Sequence, residues 1–131
     1  MIKQNIQLFL ITGLLFLNGF NLLAQNSTSM YRIAKIKVDG SQLEKYKNAL
    51  QEQMNTAIDV EPGVLSYTVL TDKNDANAIT IFEVYASVEA YQSHIKSRHF
   101  LKYKETVKNM VLSLELIDAD LLISSAKKSD R

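Results

Sequence analysis

Glu83, His94 and His99 are the side chains of this sequence best suited to moving protons. An unperturbed imidazole titrates near pH 6.5, so modest changes in its surroundings keep it useful as a base at neutral pH. Glu83 stands among Ile81, Phe82 and Val84. A carboxylate in such company must be hydrogen-bonded or paired, so Glu83 reads either as a polarising group or as a structural acid held by a Lys or Arg. His94 near a helix end has a plain alternative role, satisfying terminal carbonyls, and His99, beside Arg98 and close to Lys102, reads equally as a solvated surface residue. No metal centre is expected. On one continuous helix the five-residue separation of His94 and His99 turns them about 140° apart, and a third ligand at suitable spacing is not evident. The chain has no cysteine and only four glycines, with no Gly-rich phosphate loop, and no Ser stands out as a nucleophile with a base nearby. Aromatic residues are the remaining resource: Tyr67, Phe82, Tyr85, Tyr91, Phe100 and Tyr103. Such residues at core spacing are ordinarily core. With a buried His and Glu they also suit a pocket for a flat apolar ligand held by a few polar anchors.

The elements that must position these groups follow from periodicity. Met30 to Val38 reads as a strand, with Ile36 and Val38 alternating with Lys35 and Lys37 until Asp39-Gly40 ends it. Ser41-Gln42-Leu43-Glu44 has the form of a capping box, and Leu43, Tyr46, Leu50, Met54 and Ala57 then trace one apolar stripe of a helix. Glu61-Pro62-Gly63 breaks that helix before a strand over Val64 to Leu70, and the polar stretch 72–77 leads into a second strand, Ala78 to Tyr85, as in a hairpin. Ser87 caps a helix carrying Val88, Tyr91 and Ile95; after a kink at Ser97 or Arg98, Phe100, Tyr103 and Val107 share one helical face. Leu112 to Ile117 supplies a final strand, with Leu121-Leu122-Ile123 as its possible continuation. This order predicts an α+β fold, a ferredoxin-like βαββαβ sheet with helices on one face. In Ala78 to Tyr85 both alternate sets are apolar, Ile79, Ile81 and Tyr85 against Thr80, Phe82 and Val84. A sheet apolar on both faces needs two covers, and a second subunit packed sheet to sheet is the expected second one, which makes the chain a homodimer.

The N-terminus carries one cation, Lys3, then the apolar stretch Ile6 to Leu17 and Leu22-Leu23-Ala24, with no acid before Asp39. That is the layout of a secretory signal peptide over residues 1–24. Asn18 and Asn21 interrupt the run before it reaches the roughly 20 residues that cross a bilayer, which favours cleavage over a permanent anchor. Ala24 is the favoured last leader residue; the bulk of Leu22 leaves a different cut or an uncleaved anchor open. The expected organisation is a leader at 1–24, a spacer at 25–29, one domain at 30–123 and a polar tail at 124–131, in an exported protein, periplasmic or secreted. Loss of Lys3 balances the 15 Lys and Arg of the full chain against its 14 Asp and Glu, so nothing electrostatic recommends nucleic acid or an acidic membrane as partner. A small exported domain without disulfides must gain stability from packing or association.

The chain resembles the antibiotic biosynthesis monooxygenase family across about residues 31–117. The likeness rests on Glu61-Pro62-Gly63 leading into a strand, on Ile81-Phe82-Glu83-Val84-Tyr85 followed by Ser87 to Tyr91 and His94, and on Ser97-Arg98-His99-Phe100, in that order and spacing. The resemblance implies a dimeric α+β barrel with a pocket between sheet and helices in each subunit. It also implies quinol monooxygenase-like oxidation of quinols and related phenols by molecular oxygen, without flavin, haem or metal. On this reading His94 is the base, Tyr67 and Tyr85 donate to an oxyanion, and Glu83 orients them. Phe82, Tyr91, His99, Phe100 and Tyr103 join the two tyrosines around the substrate. Haem degradation, known in similar proteins, is not expected, because the chain has no Trp and Lys104 stands about where a haem-ligating His would fall. A related isomerase branch would need Arg32, Lys35 or Arg98 to hold a phosphate, and export argues against a phosphorylated cytosolic substrate. Export also favours a substrate that supplies its own electrons, since reduced nicotinamide and flavin are not at hand outside the inner membrane. The competing expectation is a non-catalytic dimer that binds a small apolar molecule, because a fold alone does not establish activity.

Overall fold

The computed structural model describes residues 28–127. The leader expected at residues 1–24 and its cut site lie outside them. Among the described residues no helix is long and apolar enough to cross a membrane.

β1 (Met30–Val38) is a central strand, hydrogen-bonded on one side to β3 (Ala78–Tyr85) and on the other to β4 (Val111–Ala119); β2 (Val64–Thr71) pairs with β3, giving the antiparallel order β2-β3-β1-β4. Alternation turns Ala34, Ile36 and Val38 of β1 toward the helices and leaves Lys35 exposed. The same rule buries Ile79, Ile81 and Tyr85 of β3. The helices α1 (Leu43–Val60), α2 (Val88–His94) and α3 (Arg98–Val107) complete the α+β, ferredoxin-like fold expected from the element order.

α1 buries Tyr46, Leu50 and Ala57 of the predicted stripe, with Gln53 beside them, and Tyr46 and Leu50 meet Val38, Ile79, Ile81 and Val107 in the main core. Each such side chain contributes about 1.5–3 kcal/mol on burial. The helix does not begin with the expected capping box. Asp39 accepts from the Ser41 amide at 2.9 Å and from its hydroxyl at 2.8 Å, winding Gly40–Gln42 into a 3-10 turn, while Glu44 pairs with Lys47. The Asp39 carboxylate, two residues upstream, takes the Ser41 amide hydrogen that a capping-box Glu44 would accept, and Glu44 turns to Lys47 instead.

Ser87 caps α2 by accepting from the Ala90 amide, and Ser97 caps α3 by accepting from that of Phe100. The turn at residues 95–97 is therefore the expected kink, and it matters for the site. A second, smaller core joins Ala57, Val64 and Tyr85 to Ala90 and Tyr91. There the turn after α1 touches α2 closely: a Cβ on Gly63 would lie 2.6 Å from that of Ala90. β4 runs to Ala119 as the antiparallel partner of β1, but Leu121-Leu122-Ile123 does not extend it. Those three side chains are exposed, Leu122 by 91%.

Candidate functional site

Between the sheet and the helices lies a cavity of about 320 Å³ whose walls include Ile36, Leu50, Ile81 and Phe100. It reaches out over β4, where Leu114 and Leu116 are half-exposed. At its inner end sits His94, the last residue of α2, 1% exposed. Its ring packs 4.8 Å from Phe100 and 5.5 Å from Tyr85, centroid to centroid.

The two nitrogens of His94 face different worlds. Nδ1 lies 2.8 Å from Oε1 of Glu61, an acceptor, so it carries the proton. Nε2 is then the lone-pair nitrogen, turned to the cavity, where it accepts from the Tyr67 hydroxyl at 3.0 Å and the Gln53 amide at 3.1 Å. Burial pushes the His94 pKa down, against an opposing pull from Glu61. The imidazole is thereby kept neutral at neutral pH, with its Nε2 lone pair available.

Glu83 also faces the cavity. It accepts from the Tyr85 hydroxyl at 2.8 Å, and burial pushes its pKa up, with the Tyr85 bond and the Arg32 charge opposing. Arg32 itself is occupied by Asp118 and Tyr91, and Glu83 forms no ion pair among the described residues, so the expectation of an acid clamped by a Lys or Arg is not met. Burial raises Tyr67 to about 12 and pushes Tyr85 and Tyr103 up as well, so all three stay protonated. The Tyr85 hydrogen is committed to Glu83 and that of Tyr67 to His94. Of the two, only Tyr67 is placed to release its hydrogen bond to a ligand at Nε2.

Seven of the residues singled out from sequence, His94, Glu83, Tyr67, Tyr85, Tyr91, Phe100 and Tyr103, line this cavity together. Phe82 does not. It alternates with Ile81 and Glu83, so strand geometry sends it to the opposite sheet face, where it is 41% exposed. His99 does not line the cavity either; its Nε2 meets Oε1 of Glu61 at 2.5 Å from behind. The break at 95–97 overturns the argument that His94 and His99 diverge, because they sit on two helices and converge on one carboxylate. Glu61 is the third group that the sequence did not disclose. Potential ligand atoms of Glu61, His94 and His99 lie within 4.8 Å of one another, a composition a divalent cation accepts. Here, however, both ring nitrogens address the same oxygen, and hydrogen bonds satisfy the group. Gln53 was also missed, although a polar residue on a stripe between Leu50 and Ala57 signals a buried hydrogen bond.

The antibiotic biosynthesis monooxygenase family profile matches residues 29–106. The chain belongs to the antibiotic biosynthesis monooxygenase family. Among solved structures it is similar to an antibiotic biosynthesis monooxygenase family protein from Bacteroides thetaiotaomicron, at 42% identity and TM-score 0.73 over 77% of this chain and 96% of that one. A monooxygenase-type protein from Lactobacillus acidophilus is 32% identical with TM-score 0.66, over 67% of this chain but 42% of its own longer chain. A family protein from Nitrosomonas europaea, 19% identical over 76% of this chain and 96% of its own with TM-score 0.69, shares the fold. Comparison with curated proteins finds no match. Membership in the antibiotic biosynthesis monooxygenase family and these neighbours support a monooxygenase-type function.

Proposed function

We propose that this protein is a cofactor-independent monooxygenase that oxidises a quinol-like or phenolic aromatic with molecular oxygen. The observation that carries the reading is the lone pair of His94 Nε2, aimed into an aromatic cavity and held free of its proton by Glu61. A phenol entering the cavity replaces Tyr67 as the donor to Nε2. His94 removes its proton, and Tyr67 and Gln53, released from the imidazole, donate to the phenolate oxygen. Tyr85 and Glu83 hold the neighbouring wall. A deprotonated hydroquinone is a strong enough reductant to pass an electron to oxygen; the resulting pair joins through a new C–O bond, and the hydroperoxide loses water. A benzene-1,4-diol and O2 thus become a hydroxyquinone and H2O, with every electron drawn from the substrate. The residues present ask for no flavin, haem or metal in this scheme.

The protein acts, on this reading, as an exported homodimer, periplasmic or secreted. Support for the dimer comes from the open sheet face, where Phe82 and Leu70 are exposed and a groove runs beside Lys35 and Thr80. A second copy packed sheet to sheet covers it. The deciding experiment is oxygen uptake by the purified mature protein with a panel of hydroquinones and no added cofactor. Uptake above autoxidation is expected; binding of the same compounds without uptake would establish the non-catalytic ligand-binding alternative instead.

A further inference from the structure

We infer that Glu61 and His99 act as a positioning pair for His94, with Glu61 selecting its tautomer and His99 competing for the same carboxylate oxygen to limit how tightly the imidazolium is held. The inference rests on the proposed role of His94 as a base. Its grounds are geometric. Oε1 of Glu61 stands 2.8 Å from His94 Nδ1 and 2.5 Å from His99 Nε2, so one oxygen receives two imidazole donors. Ser97, whose hydroxyl lies 3.1 Å from the same His99 nitrogen while capping α3, helps fix the outer ring. Glu61 is held where the backbone leaves α1, its amide bonded to the Ala57 carbonyl, and Gly63 lets α2 press against that turn.

The physical logic separates two effects. An acceptor at Nδ1 dictates which nitrogen carries the proton, leaving the other free for the cavity. The charge of that acceptor decides how stable the protonated ring is once it has taken a substrate proton. Without a competitor, a buried carboxylate holds the imidazolium firmly and slows return of the proton to the leaving oxygen. A second donor on the same oxygen withdraws part of that charge. The other polar groups facing His94 are the Tyr67 hydroxyl from β2, the Gln53 amide from α1 and the Tyr85 hydroxyl from β3, all uncharged at neutral pH; the charged and titratable neighbours are Glu61 and His99.

The test reads His94 directly by 15N and 1H NMR of the full mature protein without substrate, across pH, in wild type, Glu61→Gln, Glu61→Ala and His99→Ala. Wild type and Glu61→Gln should both show the Nδ1–H tautomer, since a glutamine carbonyl still accepts. Glu61→Gln should move the His94 titration down by about one pH unit, because the stabilising charge is gone. Glu61→Ala should lose the tautomer preference. His99→Ala should move the titration up. Glu61 and His99 are 15% and 16% exposed, so these changes are made at the margin of the fold. A His94 titration unmoved in both His99→Ala and Glu61→Gln, or an Nε2–H tautomer in wild type, overturns the inference. So does uptake of one equivalent of Zn2+ by the wild-type protein that abolishes the Nδ1–H signal. None of these readouts uses turnover, so an inactive protein with the expected spectra would refute the proposed function and leave the pairing standing.

Discussion

The hydroxyl of Tyr67 and Nε2 of His94 meet at 3.0 Å across the inner end of the cavity, joining β2 to the last residue of α2. This bond occupies the lone pair that a substrate would have to reach in the proposed reaction. Its exchange for a substrate hydroxyl is the event that would both engage the base and free a donor for the developing anion.

Replacing His94 by Ala should lower kcat/KM for an active hydroquinone by about 10²- to 10⁴-fold, the usual worth of a positioned base, with the circular dichroism of the fold retained. Tyr67→Phe should cost about 10²- to 10³-fold, mainly in kcat, because the lost donor acts on the charge formed in the transition state. Oxygen-electrode kinetics check both; unchanged turnover in the His94 variant removes it from the mechanism.

Burial holds the His94 pKa below its ordinary 6.5. As pH falls through 6.5 the unfolded chain takes up this proton first, so folding stability should decline by up to about 1.4 kcal/mol per pH unit until the folded-state pKa is reached. Glu83 contributes in the opposite sense: its pKa is raised, so its part is greatest below 4.5 and is lost as pH rises toward its folded value. Urea titrations from pH 5 to 8 should show the His94 component in the wild type and its disappearance in His94→Gln. Turnover, which needs the neutral imidazole, should fall on the same acid side.

Gly63→Ala should destabilise the fold by about 1–3 kcal/mol, since the added methyl meets Ala90 at 2.6 Å and α2 must shift to admit it. No backbone strain contributes, because Gly63 does not have positive φ. The shift also moves His94 away from Glu61, so activity should drop further than the loss of folded protein accounts for. Urea unfolding paired with kinetics on the folded fraction separates the two.

Phe82→Asp should yield monomers by light scattering if the open sheet face is the dimer contact. A charged residue there forfeits the apolar burial of the contact and leaves a carboxylate without a partner. The cavity lies on the other side of the sheet, so the His94 tautomer should be unchanged.

Much of the site was legible because two periodicities are local properties. Alternation sorted Ile79, Ile81 and Tyr85 onto one face of β3 and Thr80, Phe82 and Val84 onto the other, though both sets are apolar and only packing decided which is buried, while Ser87 marked the start of α2 and the kink at 97–98 separated it from α3. The same alternation rule, applied strictly, excludes Phe82 from the cavity that takes Glu83; aromatic character drew it in wrongly. The capping box failed for a comparable reason, in that a motif of the right spacing lost its hydroxyl to the nearer charge of Asp39.

By itself the sequence determined the strands, the helices, their order and the apolar faces that must meet, since steric preference and water-driven burial act residue by residue along the chain. Only the tertiary structure decided the chemistry at His94. Glu61 follows α1, Tyr67 lies on β2 and His99 on α3, and they become neighbours through the packing of α2 against the Gly63 turn. Hydrogen bonds extend about 3 Å, and nothing in the linear order says which distant residues will come within that reach.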